Sequence, residues 1–194
     1  IPLLLFLCIN AQAELVIVHT QIDGNVAVTI PAPALIVEFL RYGKATGTLV
    51  WSGPVQTSTK DVMTLQEAEN AALAFIMAKN IPVNVIDAVK VDRSQLPNSQ
   101  RFRKAWRKLG QSITVDISIA RSIRADEIKI EVHRRIVESI KNQIIAGDTP
   151  AIVVSHKDYQ AKLRNILQSL NADISVIIDP NVLDTWQPNY PADP

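Results

Sequence analysis

The chain has 194 residues, enough for one ordinary core, or one core with an appendage. Hydrophobic residues make up 47% and charged residues 20%, which excludes an intrinsically disordered chain, and a formal net charge of +1 gives no whole-chain reason to bind nucleic acid or an anionic membrane. A single cysteine, Cys8, excludes an internal disulfide framework and a cysteine-based zinc site, and three histidines far apart in sequence argue against a dedicated metal centre.

Ile1 to Ile9 is an apolar run followed by Asn10-Ala11-Gln12-Ala13. Residues 1–13 have two readings: a secretory signal with an Ala-x-Ala site, or an arm that buries its leucines in this protein or a neighbouring subunit. The run carries no basic residue of the kind a signal leader has, so the arm is the expectation. It is about half the roughly 20 residues that span a bilayer. Between Glu14 and Ile30, two β-branched runs flank Asp23-Gly24. They predict a β-hairpin, because the turn needs a positive φ that Gly24 and Asn25 tolerate. Pro31 and Pro33 end its ladder. Ala34–Tyr42, closed by Gly43, fits a helix or a strand, and Thr48–Ser52 reads as a short strand stopped by Gly53-Pro54. Thr64-Leu65-Gln66-Glu67 is a capping box, so a helix is expected over 65–79 with Leu65, Ala68, Ala72, Phe75 and Ile76 inward. Val83–Val91 reads as a returning strand. Hairpin, helix and strand make a small α+β domain over 14–112.

Phe102, Ala105, Trp106 and Leu109 are spaced three and four apart, which predicts one face of a short helix with Trp106 as core anchor. Five cations, Arg101, Arg103, Lys104, Arg107 and Lys108, surround these aromatics within eight residues. Residues 99–147 hold eleven Lys/Arg against five Asp/Glu, so charge is concentrated here even though the whole chain is nearly neutral. The patch can be a solvated helix face, a basic face docking on an acidic neighbour, or a nucleic-acid contact using phosphates and stacked aromatics. The aromatics share the stripe expected to be buried, which favours the first two.

From Asp116 onward, Ile119, Ile123, Ile130, Val137, Ile140 and Ile144 follow a 4-3 pattern, widened by Ile128, Val132 and Ile136. One long helix follows, capped by Asp116 or Ser118 and stopped by Gly147. Arg121 and Arg124 fall in its first turns, where cations need partners such as Asp126, Glu127 or a neighbouring subunit. Thr149-Pro150 opens a second helix. Along it Ile152, His156, Tyr159, Leu163, Ile166 and Leu170 step by threes and fours. The two helices make an antiparallel αα-hairpin over 113–170. Their stripes exceed what one partner helix covers, which makes Ile123, Ile130, Val137, Ile144, Tyr159 and Leu163 candidate contacts to copies of the chain or to another protein. Residues 171–194, with four prolines, read as an extended tail that lies over its own domain or a neighbour through Trp186 and Tyr190.

Leu96-Pro97, Phe102-Arg103-Lys104-Ala105-Trp106, Gly110, Val115-Asp116 and Ala120-Arg121, followed by Arg134-Arg135 on the long helix, resemble a family of small tailed-phage proteins with a Leu-Pro, Phe-Arg-x-Ala-Trp, Val-Asp and Ala-Arg pattern. Members are commonly labelled tail assembly chaperones. The hairpin segment from Asp23 to Pro33 is also similar to the opening of those proteins, and Gly147-Asp148 falls where their long helix ends. The hydrophobic start is extra, and residues 43–63 look inserted. The resemblance implies a late-gene phage protein more than any activity, with Phe102, Trp106, Asp116 and Arg121 as its structural motif.

Catalytic motifs are missing from the sequence. Gly43-Lys44-Ala45-Thr46-Gly47 lacks the order of a phosphate loop, and there is no Gly-x-Ser-x-Gly elbow and no His-Glu-x-x-His. Cys8 sits in an apolar run that disfavours its thiolate. His133 and His156 could meet across the hairpin, but two histidines without a carboxylate or cysteine cluster are more often seam residues. The expectation is therefore an α+β, non-enzymatic phage structural or assembly protein. It needs no cofactor, pairs with itself or other phage proteins, and resides in the virion or the infected-host cytoplasm. The alternatives are a tail assembly chaperone absent from the mature particle, a secreted or periplasmic binding protein with its signal at 1–13, and a nucleic-acid-contacting protein using 101–108.

Overall fold

The β-branched runs on either side of Asp23-Gly24 form the expected hairpin, β1 (Leu15–Thr20) and β2 (Val26–Thr29). The turn closes through Gly24, at φ 79, whose N–H donates to the Gln21 carbonyl at 2.9 Å. The computed structural model describes residues 15–49, 53–82, 85, 87–147 and 149–194. The expected arm over 1–13 with Cys8, residues 50–52 of the strand expected at 48–52, and Val83, Asn84 and Ile86 lie outside those residues. The fold is α+β. The described residues through Pro97, with Trp106–Thr114, make one unit; Asn98–Ala105 and Val115–Pro194 make a second. A cut at 112 therefore misplaces the segment around Phe102, which belongs with the helical hairpin, as does the tail.

In the first unit β1 is central, paired antiparallel with β2 (Ile17 opposite Thr29) and with β3 (Val89–Asp92; Leu15 opposite Asp92). Val16, Ile17 and Val18 are fully buried, so both faces of β1 are covered. Ala34–Tyr42 resolves as helix, α1 (Pro33–Tyr42), opened by a first-turn proline and closed by Gly43 at φ 65. α2 (Leu65–Lys79) has both halves of its capping box. Leu73 joins Ala68, Ala72 and Ile76 in the core, whereas Phe75 lies at the rim, edge-on to Phe39 at 6.2 Å.

The short helix expected over 102–109 does not form. A 3-10 turn at Arg103–Ala105 leads into β4 (Trp106–Leu109), and Gly110-Gln111, with Gly110 at φ 62, turns the chain into β5 (Ser112–Val115). Eight residues without a cap make a poor helix, and a two-residue turn with positive φ favours a hairpin. Trp106 remains a buried anchor, but Leu109 is exposed.

Helices dominate the second unit: α3 (Ile117–Ala146), α4 (Pro150–Ser175) and α5 (Pro180–Thr185). The tail is thus partly helical. Asp179 caps Asn181 N–H at 2.8 Å, and Pro180 stands in the first turn, where its missing N–H costs nothing. No helix among the described residues is long and apolar enough to cross a membrane.

The loop that superficially resembled a phosphate loop does cradle an anion, one supplied by the chain itself. The buried Glu38 carboxylate accepts the N–H groups of Thr46, Gly47, Thr48 and Leu49 at 2.7, 3.0, 3.1 and 3.0 Å, and the Thr46 hydroxyl. These donors, Gly47 and Leu49 foremost, hold its pKa at about 2 against an ordinary 4.5. Because the folded pKa is depressed, Glu38 contributes its full stability above pH 4.5 and loses it as pH falls toward 2. Glu38→Gln is expected to lower the melting temperature by several degrees at neutral pH and to flatten the acid limb below pH 4.5, as read from thermal melts across that range.

Candidate functional site

Asp116 caps α3, its carboxylate accepting Ser118 and Ile119 N–H at 3.0 and 3.2 Å, as its place before the apolar run predicts. From that start α3 presents Ala125, Ile128, Val132 and Ser139 to one side, where α4 lays down His156, Tyr159, Leu163 and Leu170. Tyr159 and Leu163 therefore do not belong to an external surface. They are 4% and 0% exposed, because each fills the seam between the two helices. Ile123 is half-buried against the same core.

One polar layer closes this seam. Ser139 Oγ and His156 Nδ1 lie 2.9 Å apart, and Gln160 Nε2 donates to Ser139 Oγ at 3.3 Å, all three side chains being buried. A buried polar layer satisfied from both helices fixes their axial register, since sliding either helix strands a donor. Past this layer the character changes: among the described residues from 140 to 155, none is buried.

The second apolar side of α3 has no cover among the described residues. Ile130, Val137 and Ile144 recur every seventh residue with Ile140 between the last two, and all four are 44% to 73% exposed. Ile145 and Val154 add apolar area at the tip of the hairpin. This is the candidate interaction surface, and three of the six residues expected there, Ile130, Val137 and Ile144, are on it.

The arginines of α3 are engaged within the chain. Arg121 donates through Nε and Nη2 to the Ile177 carbonyl at 3.0 and 2.9 Å, just beyond the end of α4, where free carbonyls favour a cation. Arg124, 6% exposed, bonds the Trp186 carbonyl and Glu127, the latter at 2.9 Å. Arg134 bridges Glu131 and Glu138 at 2.7 Å each. Arg134, with Arg135 assisting, brings the Glu131 carboxyl down to about 2. Arg135 also lies 4.3 Å over the Tyr190 ring. Trp186 and Tyr190 pack on the hairpin core and Leu183 is fully buried, so the tail lies over its own domain.

The five cations of 101–108 do not form one helix face. Arg101 pairs with Asp184 at 3.0 Å and Glu127 at 3.4 Å in the second unit. Lys108, its side chain 8% exposed, reaches Asp87 at 3.4 Å in the first. Arg103, Lys104 and Arg107 also have partners, and Phe102 and Trp106 are buried and present no ring for stacking.

His133 and His156 are not brought together. His133 is exposed, with Nδ1 2.6 Å from the Lys129 carbonyl, whereas His156 is in the seam. Among the described residues no group of three or more His, Cys, Asp or Glu is placed to hold a metal. A cleft of about 450 Å³ lies in the first unit beside His19, Gln21, Ile22, Asp23, Pro82 and Val85. Its carboxylate, Asp23, is tied to Asn25 at 3.0 and 2.6 Å.

No family model, curated protein or solved structure matches this chain.

Leu163→Ala is expected to destabilise the protein by about 2–5 kcal/mol, since it opens a cavity in the apolar core where Leu163 is fully buried, whereas Ile130→Ala changes stability by less than about 0.5 kcal/mol. Urea denaturation of both variants checks the contrast; a large loss at Ile130 in the isolated chain would show that its own core covers it.

Proposed function

We propose that this chain is a non-catalytic phage structural protein that takes a fixed place in a virion, in the head–tail or tail region, through protein–protein contacts made by its helical hairpin. The observation that carries this reading is the uncovered side of α3. β-branched aliphatics at 130, 137, 140, 144 and 145 are exposed on a helix whose other side is packed as far as Ser139. Aliphatic stripes of this extent are characteristic of surfaces that another protein covers. The Phe-Arg-x-Ala-Trp pattern and its companions supply the phage context.

An apolar face also suits a tail assembly chaperone, which would bind tail subunits and then leave. The tail of this chain lies on its own hairpin, so permanent attachment rests on α3 rather than on the C-terminal segment. Quantitative mass spectrometry of purified particles separates the two. A copy number that matches a symmetric ring is expected. An undetectable chain would replace the structural role with the transient one, and turnover of a small substrate would overturn both. Ile130→Asp together with Val137→Asp is expected to abolish incorporation while leaving the melting temperature of the free chain unchanged.

A further inference from the structure

Resting on the reading of α3 as an interaction surface, we propose that its exposed stripe is covered by the same stripe of a second copy, the two α3 helices running antiparallel as a short coiled coil.

A strict seven-residue repeat drifts around a straight α-helix and stays in contact only with another long helix that supercoils with it. Ile130, Val137 and Ile144 mark one position of that repeat; His133 and Ile140 mark the other. Thirty residues long, α3 is itself a helix of the kind this stripe requires. Laid antiparallel about a two-fold axis near residue 135, the stripe complements itself from Ile130 to Ile140. Ile130 of one copy meets Ile140 of the other, His133 meets Val137, and the symmetry repeats both layers.

Charge selects the antiparallel direction. Lys141 is exposed and has no ion-pair partner among the described residues, and the antiparallel pairing sets it opposite Glu127 of the second copy. The central Arg134 would face its own symmetry mate, but each is already neutralised by Glu131 and Glu138 at 2.7 Å. A parallel pair would instead stack His133 on His133 and set Lys141 beside Ile136, where it meets no carboxylate. Ile145 and Val154 lie outside this seam and stay at the hairpin tip.

Sedimentation equilibrium of the full chain is expected to give twice the 21.4 kDa protomer mass. Val137→Asp should weaken association by roughly thirtyfold or more, and Lys141→Glu by roughly two- to fivefold, with unchanged circular dichroism. In a Cys8→Ser background, chains carrying Ile130→Cys mixed with chains carrying Ile140→Cys should form a disulfide under mild oxidation, and Ile130→Cys alone should not. A monomer at all concentrations up to about 100 µM overturns the proposal. So does self-crosslinking of Ile130→Cys alone, which signals parallel pairing. A monomer that is still counted in virions rejects the pairing and leaves the structural role intact, whereas a dimer missing from virions does the opposite.

Discussion

A thirty-residue helix whose aliphatic residues follow two stripes can bury only one of them against a single returning helix. That constraint governs the second unit. α4 takes the side with Ala125, Ile128 and Val132, the Ser139–His156–Gln160 layer fixes how far the two helices overlap, and among the described residues the rest of α3 meets the Phe102–Ala105 segment, the tail or solvent. The tail reaches only part of the remainder. It is held through backbone carbonyls at Ile177 and Trp186 by arginines near the start of α3, and through Tyr190 under Arg135. From Ile130 to Ile144 the outer stripe is left.

Arginine at these positions has a structural explanation that requires no ligand. A guanidinium in the first turns of a helix opposes the dipole, yet Arg121 and Arg124 gain carbonyl acceptors from segments more than fifty residues away. Such bonds tie the termini of the second unit together where apolar area is scarce. The concentration of positive charge in 99–147 therefore serves the fold in part, because Arg101, Arg121, Arg124, Arg134, Arg135 and Lys108 all meet acceptors within the chain.

Glu38 illustrates a related economy in the first unit. Four successive backbone N–H groups that point inward would attract any anion. A carboxylate eight to eleven residues earlier, on α1, fills that role and fixes the loop. The resemblance of the loop to a phosphate-binding turn thus has a physical basis in its donors, while the anion it holds is internal.

The sequence by itself determined the elements whose causes are local. The Asp23-Gly24 turn, the Thr64–Glu67 capping box, Asp116 as a helix cap and Gly147 as a stop are each written within a few residues, and each is where those residues put it. Tertiary structure decided what depends on residues far apart. Spacings of three and four around Phe102 and Trp106 fit a helix as well as a 3-10 turn leading into a strand, and only the Gly110 hairpin selects the second. Both apolar stripes of α3 looked alike in sequence, since periodicity records which residues share a face and is silent on which face a distant helix will cover. For the same reason Tyr159 and Leu163 joined Ile130 and Val137 as candidate contacts, although α3 buries the first two and leaves the others in water. The partners of Arg101, Arg121 and Lys108 were equally illegible, because an ion pair across dozens of residues leaves no trace in local spacing.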